Sequence, residues 1–276
     1  MNDFGKLGFI GGGNMAAALI GGLIRRGVRP AQIAVADPSE ERRRQLGAEF
    51  GVAASAENAR AVAGCEVIVL AVKPQQMRPV ALALAPGLRD SPALVVSVAA
   101  GIPHAALARW FGPRVPVVRT MPNRPALNGF GATGLYAPAS VGAAYRALAE
   151  SIMSAVSATV WVEHESQMDT VTALSGSGPA YFFLFMEALQ AAAHERGLPW
   201  DIAHRLTLET AFGAAQMARQ STESLAALRE QVTSQGGTTA AALAVLDAAG
   251  LHAIVAHAIA AADRRSAQLA AEYGTP

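Results

Sequence analysis

The chain has 276 residues, 52% of them apolar and 16% charged, and its 22 Lys and Arg residues against 21 Asp and Glu residues give a net charge of +1. This composition excludes a disordered chain, and the balanced charge argues against a nucleic-acid-binding protein. The single cysteine, Cys65, excludes a disulfide framework and a multi-thiolate metal site. We expect a cytoplasmic protein without a signal peptide or membrane span, because no uncharged apolar run reaches the roughly 18 residues that a bilayer requires.

Up to about residue 164, short apolar runs alternate with amphipathic stretches, which is the pattern of repeated βα units. The runs are rich in β-branched residues and lack polar alternation, so they indicate a parallel sheet covered on both faces. The predicted strands are 6–10, 32–36, 67–72, 94–98, 115–119 and 159–162, and the predicted helices are 15–26, 40–50, 57–63, 77–84 and 103–110.

From residue 165 onward, β-branched runs become rare and Ala, Leu, Met, Gln and Glu recur at helical spacing. Proline and glycine residues divide this part into four or five predicted helices. We therefore place a boundary between a first domain, 1–164, and an all-α second domain, 165–276. The high apolar content of the second domain is compatible with either a subunit interface or an ordinary bundle core.

The strongest local motif runs from Gly8 to Ala16 and reads Gly-Phe-Ile-Gly-Gly-Gly-Asn-Met-Ala, between the first strand and the first helix. Gly11 permits a tight turn, Gly13 lets the backbone approach a pyrophosphate, and Ala16 lets the helix pack closely on the sheet. The N–H groups that begin the helix add a partial positive charge. The motif predicts a Rossmann-type dinucleotide-binding domain, so the fold class is α/β with an all-α C-terminal domain.

The second strand ends at Asp37, 24 residues after Gly13. A carboxylate there accepts from a ribose 2′-hydroxyl, which favours NAD(H) and repels the 2′-phosphate of NADP(H). Ser39 and the arginine run 42–44 lie close enough in sequence to bind that phosphate, although such a run is also typical of a solvated helix face. The residues alone leave the choice between NAD(H) and NADP(H) open.

Two further segments, 71–74 and 98–101, stand at the carboxyl ends of predicted strands and therefore lie where open α/β sheets bind ligands. The first contains Lys73, one of the two lysines of the chain; the other is Lys6. Lys73 either faces the cofactor or is a solvated loop lysine.

The helical domain carries two stretches that place hydroxyls and free N–H groups at helix starts. The first, 175–181, reads Ser-Gly-Ser-Gly-Pro-Ala-Tyr, and the second, 232–239, reads Val-Thr-Ser-Gln-Gly-Gly-Thr-Thr. Neither matches the Gly-x-Ser-x-Gly motif of serine hydrolases. The second is also compatible with a capped interhelical turn, but together the stretches favour a small anionic substrate.

With Met121-Pro122-Asn123, these segments resemble the pyrroline-5-carboxylate reductase family in order and spacing over essentially the whole chain. The resemblance implies reduction of 1-pyrroline-5-carboxylate to L-proline by NADP(H) or NAD(H), the last step of proline biosynthesis. It also implies a helical domain that forms homodimers, which assemble into decamers, with no nucleic-acid or membrane partner.

The resemblance also implies the site residues. The pyrophosphate is expected at Ile10, Gly11, Gly12, Gly13, Asn14 and Met15, the adenosine ribose at Asp37, Ser39 and Asn58, and the path to the nicotinamide at Ala71, Val72, Lys73, Pro74, Val98, Ala99 and Ala100. Thr239, Ser177 and Glu165 are the implied catalytic residues. The implied substrate-binding residues are Ser234, Gly236, Gly237, Thr238 and Thr239, with the Thr239 hydroxyl toward the imine and the N–H groups of 237–239 on the carboxylate.

Two residues depart from the family pattern: Arg124 stands where Thr is expected, and Gln235 where Pro is expected. The first adds a charge near the cofactor groove, and the second loosens the substrate loop.

We predict no metal site, because the histidines lack metal-binding spacing; among them only His164, beside Glu165, is a possible site residue. A β-hydroxyacid dehydrogenase is disfavoured because the helical half has no lysine, and a non-catalytic NADP(H) sensor would not need the two helix-start stretches.

Overall fold

The structure, a computed structural model, describes residues 4–89 and 91–274. The chain forms two compact units. The first comprises the described residues up to Ser177 and those from Ala261 onward, and the second comprises Gly178–Ala260. The boundary at 164/165 stays a prediction, and the units of the structure divide at other positions.

The first unit is built on an eight-stranded sheet within the described residues. Its strands are β1 Leu7–Ile10, β2 Ile33–Ala36, β3 Ala53–Ser55, β4 Val67–Leu70, β5 Leu94–Ser97, β6 Val117–Pro122, β7 Gly131–Tyr136 and β8 Ser157–Trp161. Their order is β3-β2-β1-β4-β5-β6-β7-β8, and every pair is parallel except β6 with β7. The first six strands follow the dinucleotide-binding order, which confirms the predicted Rossmann-type fold.

Helices cover the sheet and form the second unit. They are α1 Asn14–Arg25, α2 Glu40–Phe50, α3 Asn58–Val62, α4 Pro74–Leu88, α5 His104–Phe111, α6 Ala143–Met153, α7 Gln167–Val171, α8 Gly178–Glu195, α9 Trp200–Gln220, α10 Leu225–Gln231, α11 Thr238–Ala248 and α12 Leu251–Tyr273. Two 3₁₀ turns (Pro30–Gln32 and Arg124–Asn128) and a π turn (Thr172–Gly176) complete the elements. Residues 251–260 of α12 belong to the second unit and its later residues to the first.

The sheet separates two apolar cores because successive residues of each buried strand point to opposite faces. In β4, Val67 and Val69 enter one core, while Ile68 and Leu70 enter the other. Strands β1, β2, β4 and β5 are therefore buried along their whole length, as expected for a parallel sheet with both faces covered.

Three elements were not predicted, and the number of helices was wrong. β7 was not predicted because it contains two glycines where neighbouring residues approach its backbone closely. A Cβ at Gly131 would lie 2.3 Å from Ser157 Oγ, and one at Gly134 would lie 2.6 Å from Val171 Cγ1. β3 has only three residues, and α6 was also missed. The part after residue 165 holds α7 to α12 in the described residues, rather than four or five helices, because α7 and α10 are too short to show a clear period.

The second unit exposes many large apolar side chains. They include Phe182 at 70%, Leu184 at 67% and Phe212 at 59% exposure. Patches of this kind mark protein interfaces in soluble proteins. No single helix in the described residues is both long and apolar enough to span a bilayer; the α11–α12 pair, bent by 53°, reaches the required length and composition only when taken together.

Candidate active site

The carboxyl ends of β1, β2 and β4 surround a cavity of about 470 Å³. It lies at the point where the strand order reverses, because β1 has β2 on one side and β4 on the other. Open α/β sheets bind ligands at such a switch point. The cavity is lined by Ile10, Gly11, Gly13, Ala36, Asp37, Pro38, Ala56, Asn58, Ala71, Val72, Lys73, Gln76, Pro79 and Val80.

The glycine turn after β1 has two tightly packed residues and one open one. The Gly11 N–H donates to Ala36 O over 2.8 Å, its φ is +90°, and a Cβ there would lie 2.6 Å from Ala71 O. A Cβ at Gly12 would lie 2.7 Å from Leu46 Cδ1. Gly13, in contrast, has nothing within 4 Å of the place that its Cβ would occupy. The turn is therefore closed toward the protein and open at Gly13.

Helix α1 begins immediately after this opening. Gly13 is its N-cap residue, and no side chain caps it. The N–H groups of the first turn lack intrahelical acceptors, so they can donate to an anion. The open Gly13 backbone and these donors fit the pyrophosphate of a dinucleotide.

Asp37 holds the glycine turn to the end of β2. Its Oδ2 accepts from Gly12 N–H and its Oδ1 from Ser39 N–H, both over 2.8 Å. Arg43 donates to the carbonyls of Asp37 and Pro38 over 2.8 and 2.9 Å, and Arg42 Nε donates to Gly12 O. Of the run 42–44, only Arg44 lies on an exposed face. A carboxylate and two guanidinium groups therefore meet at the carboxyl end of β2, beside the glycine turn.

The cavity gathers half of the residues that were expected to bind the cofactor. Ile10, Gly11, Gly13, Asp37, Asn58, Ala71, Val72 and Lys73 line it, whereas Gly12, Asn14, Met15, Ser39, Pro74, Val98, Ala99 and Ala100 do not. The Ser39 hydroxyl instead caps α2 by accepting from Arg42 N–H. Gln76 and Val80 were missed; they are four residues apart on α4 and therefore share one helix face. A helix predicted to begin at Pro74 would have revealed them.

Glu165 forms an ion pair with a buried arginine. Its Oε1 lies 2.8 Å from the Arg119 guanidinium, and Arg119 is only 4% exposed. The same oxygen accepts from the backbone N–H of His104, which begins α5. His104, rather than the neighbouring His164, therefore contacts Glu165. The exposed His164 instead donates its own N–H to Gln167 Oε1 over 2.9 Å.

We expect Glu165→Gln to destabilise the protein by about 3 kcal/mol, because it leaves the Arg119 charge buried without its counter-charge. The midpoint of urea unfolding at fixed protein concentration measures this loss. The exposed Glu163 provides the matched control, Glu163→Gln. If Glu165→Gln lowers kcat while the unfolding midpoint stays unchanged, the carboxylate has a chemical role rather than this structural one.

His104 is a buried titratable group beside this ion pair. Burial, the largest cause, lowers its pKa below the ordinary value of 6.5; Glu165 and a backbone hydrogen bond at Val117 oppose this shift, and Arg119 reinforces it. Its Nε2 is buried without a hydrogen-bond partner, and its ring meets Tyr136 edge to face at 6.0 Å. The folded state therefore favours the neutral imidazole.

A histidine whose pKa is lowered on folding binds fewer protons in the folded than in the unfolded state. Its contribution to stability is present above the unfolded pKa and is lost as the pH falls below about 6.5. We expect His104→Gln to reduce the drop in Tm between about pH 7.5 and about pH 5.5. His164→Gln is the control, and an equal drop in both variants would contradict the assignment.

The first of the two helix-start stretches begins in a π turn. The Ser177 N–H donates to Thr172 O over 2.9 Å, five residues back, and Ser175 Oγ donates to Val171 O over 2.9 Å. Helix α8 then begins at Gly178, so Pro179 lies in its first turn as predicted. Ser177 is half-buried at the end of the first unit.

The second stretch lies in the second unit and opens α11 at Thr238. Gly236 has φ +72°, and the Gly237 N–H donates to Ser234 O over 3.0 Å. Gly237 is the N-cap residue, and no side chain caps the helix. The hydroxyl-bearing Thr238 and Thr239 thus stand in a first turn whose N–H groups lack intrahelical acceptors. This confirms the helix start that the sequence predicted.

The two departures from the family pattern are both exposed. Arg124 begins the 3₁₀ turn after β6, and Gln235 lies in the loop before α11.

Within residues 4–89 and 91–274, no group of three or more His, Cys, Asp and Glu side chains is placed to hold a metal ion.

The fold and the glycine turn define a Rossmann-type dinucleotide-binding protein. Residues 6–101 match the family model of coenzyme F420-dependent NADP oxidoreductases, and residues 165–269 match that of the pyrroline-5-carboxylate reductase dimerisation domain. The chain is 52% identical to pyrroline-5-carboxylate reductase of Pseudomonas aeruginosa over 269 residues, which cover 98% of each chain. The chain belongs to the pyrroline-5-carboxylate reductase family.

Solved structures agree with this membership. A pyrroline-5-carboxylate reductase from Coxiella burnetii superposes with a TM-score of 0.94 at 41% identity, covering 97% of this chain and 99% of that one. The Plasmodium falciparum pyrroline carboxylate reductase, crystallised with NADP bound, has a TM-score of 0.84 at 28% identity and covers 98% and 99% of the two chains.

Proposed function

We propose that this protein reduces 1-pyrroline-5-carboxylate to L-proline with NADPH or NADH, the last step of proline biosynthesis. Its place in the family, over nearly its whole length, carries the proposal. The open glycine turn at the switch point and the start of α11, whose first N–H groups lack intrahelical acceptors, supply the chemistry that such a reaction needs.

The substrate is a cyclic imine with one carboxylate. The bound dinucleotide supplies the hydride, and the protein has to orient the ring, bind its carboxylate and hold a proton at its nitrogen. The N–H groups of 237–239 bind the carboxylate, because a helix start favours an anion. The Thr239 hydroxyl hydrogen-bonds the ring nitrogen, directly or through water, and Ser177 contacts the substrate.

The protonated imine is already a strong electrophile, so the reaction does not need a strong acid side chain. This is consistent with the neutral chemistry of the two helix starts, whose polar side chains are Ser, Thr, Gln and Tyr. Glu165, expected as a catalytic residue, serves in this proposal through its ion pair with Arg119.

The protein carries a dimerisation domain, and we propose that its homodimers assemble into a decamer in the cytoplasm. The exposed apolar side chains of the second unit support an interface between copies of this chain. Light scattering coupled to size-exclusion chromatography measures the assembly; a particle of two chains would contradict the decamer but not the dimer.

Steady-state kinetics with 1-pyrroline-5-carboxylate and each reduced cofactor test the reaction. We expect oxidation of the cofactor only when the imine is present, with L-proline as product. Cofactor binding without such turnover would identify a non-catalytic sensor instead. Six-membered cyclic imino acids, assayed alongside, show how narrowly the site fits a five-membered ring.

A further inference from the structure

The Met121-Pro122-Asn123 segment at the end of β6 belongs to the motifs of the chain, yet the reaction described so far gives it no role. Asn123 is 8% exposed, and both ends of its amide are used. Its Nδ2 donates to Ser175 O over 3.0 Å, and its Oδ1 accepts from Ala132 N–H over 2.9 Å. The side chain therefore connects the π turn to the start of β7.

The carbonyl of Ser175 depends on a side-chain donor. In an α-helix it would accept from the residue four positions later, but that residue is Pro179, which has no N–H. The turn widens here instead, with the bond from Ser177 N–H to Thr172 O. Asn123 thus supplies the donor that Pro179 lacks, in a part-buried place where an unpaired carbonyl is costly.

Met121, in β6, packs against the same turn. A Cβ at Gly176 would lie 2.5 Å from Met121 Cε, so the π turn lies directly against the end of β6. The two residues before Ser177 are therefore both contacted from this segment: Ser175 by the Asn123 amide and Gly176 by the Met121 side chain.

We propose that Asn123 is a positioning residue for the substrate: it fixes the π turn so that the Ser177 hydroxyl is held in the orientation that binds 1-pyrroline-5-carboxylate. This rests on the proposed function, in which Ser177 contacts the substrate. Asn123 acts through the backbone of Ser175 and touches neither reactant.

Asn123→Asp tests the assignment, because it retains an oxygen for Ala132 N–H and replaces the donor to Ser175 with an acceptor. We expect the KM for 1-pyrroline-5-carboxylate to rise about 10-fold, since substrate binding is lost, with kcat within about threefold. The Kd for NADPH, measured by fluorescence titration, stays within about twofold of the wild-type value. A merely structural role would not separate these three quantities.

Tyr145→Phe is the matched control. It also removes one side-chain donor to a backbone carbonyl, that of Pro92, and Tyr145 lines a different cavity, at the amino ends of the strands. We expect wild-type kinetics from it. Asn123→Ala removes the same donor without placing a charge beside the Ser175 carbonyl, and we expect the same rise in KM; it keeps the proposal testable if Asn123→Asp does not fold.

The outcomes separate the two claims. A wild-type protein that does not turn over the imine overturns the proposed function and the role of Asn123 with it. An active wild type whose Asn123→Asp and Asn123→Ala variants keep their KM overturns the role of Asn123 alone. An equal change in the KM for the imine and in the Kd for NADPH also overturns it, because the effect would then reach the whole unit.

Discussion

Gly13→Val should raise the Kd for NADPH and NADH by at least about 100-fold while the protein stays folded. Nothing lies within 4 Å of the place that a Cβ would occupy at Gly13, and its φ of −63° suits any residue. The valine side chain would instead fill the space in which the open turn receives a pyrophosphate. Fluorescence titration with each cofactor measures the Kd, and circular dichroism and Tm report folding.

Gly142→Val is the matched control for this variant. Gly142 is also a helix N-cap, at α6, with φ −59° and nothing within 4 Å of its Cβ position. The two substitutions therefore have a similar cost at the helix start, and only Gly13→Val should affect binding. Wild-type cofactor affinity in folded Gly13→Val would refute the placement of the pyrophosphate at this turn.

Gly11 shows why the choice of glycine matters. A Cβ there would lie 2.6 Å from Ala71 O, and the φ of +90° disfavours any other residue. Gly11→Val would damage the fold and say nothing about the ligand. The sequence motif assigns the tight turn to Gly11 and the approach of the pyrophosphate to Gly13, and the close packing of Gly11 and the open space at Gly13 agree with that division.

The cofactor half of the site was predictable because its signals are local. The strand, glycine turn and helix occupy about 20 consecutive residues, and Asp37 ends the next strand. All six predicted strands are present, with ends shifted by at most a few residues. β7 was not predicted because close packing at Gly131 and Gly134 requires glycine, which has a poor strand propensity.

Contacts between distant parts of the chain were not predictable. Arg119, Glu165 and His104 come from a strand, a loop and a helix start, and no sequence spacing relates them. His164 is the histidine that the sequence singles out, yet Glu165 contacts His104, because adjacent residues in a chain can point in different directions. Asn123 and Ser175 are likewise 52 positions apart.

Thr239→Ala should lower kcat about 100-fold, the range expected when a positioned proton-donating group is removed. The backbone N–H groups of 237–239 remain, so the carboxylate is still bound and the KM for 1-pyrroline-5-carboxylate should change by only a few-fold. Thr239 is half-buried in the first turn of α11, where its hydroxyl is not used as a helix cap. Steady-state kinetics at saturating cofactor measure both constants.

Two further variants separate the hydroxyl from the shape of the side chain. Thr239→Ser keeps the hydroxyl and should retain most of the kcat, whereas Thr239→Val keeps the shape and should lose as much as Thr239→Ala. The decisive quantity is the kcat of Thr239→Ser divided by that of Thr239→Val. A packing role would give the valine variant the higher kcat, whereas a hydrogen bond to the ring nitrogen would give it to the serine variant. If the valine variant equals or exceeds the serine variant in kcat, the proton at the imine nitrogen is held by another group, and Thr239 only shapes the start of α11.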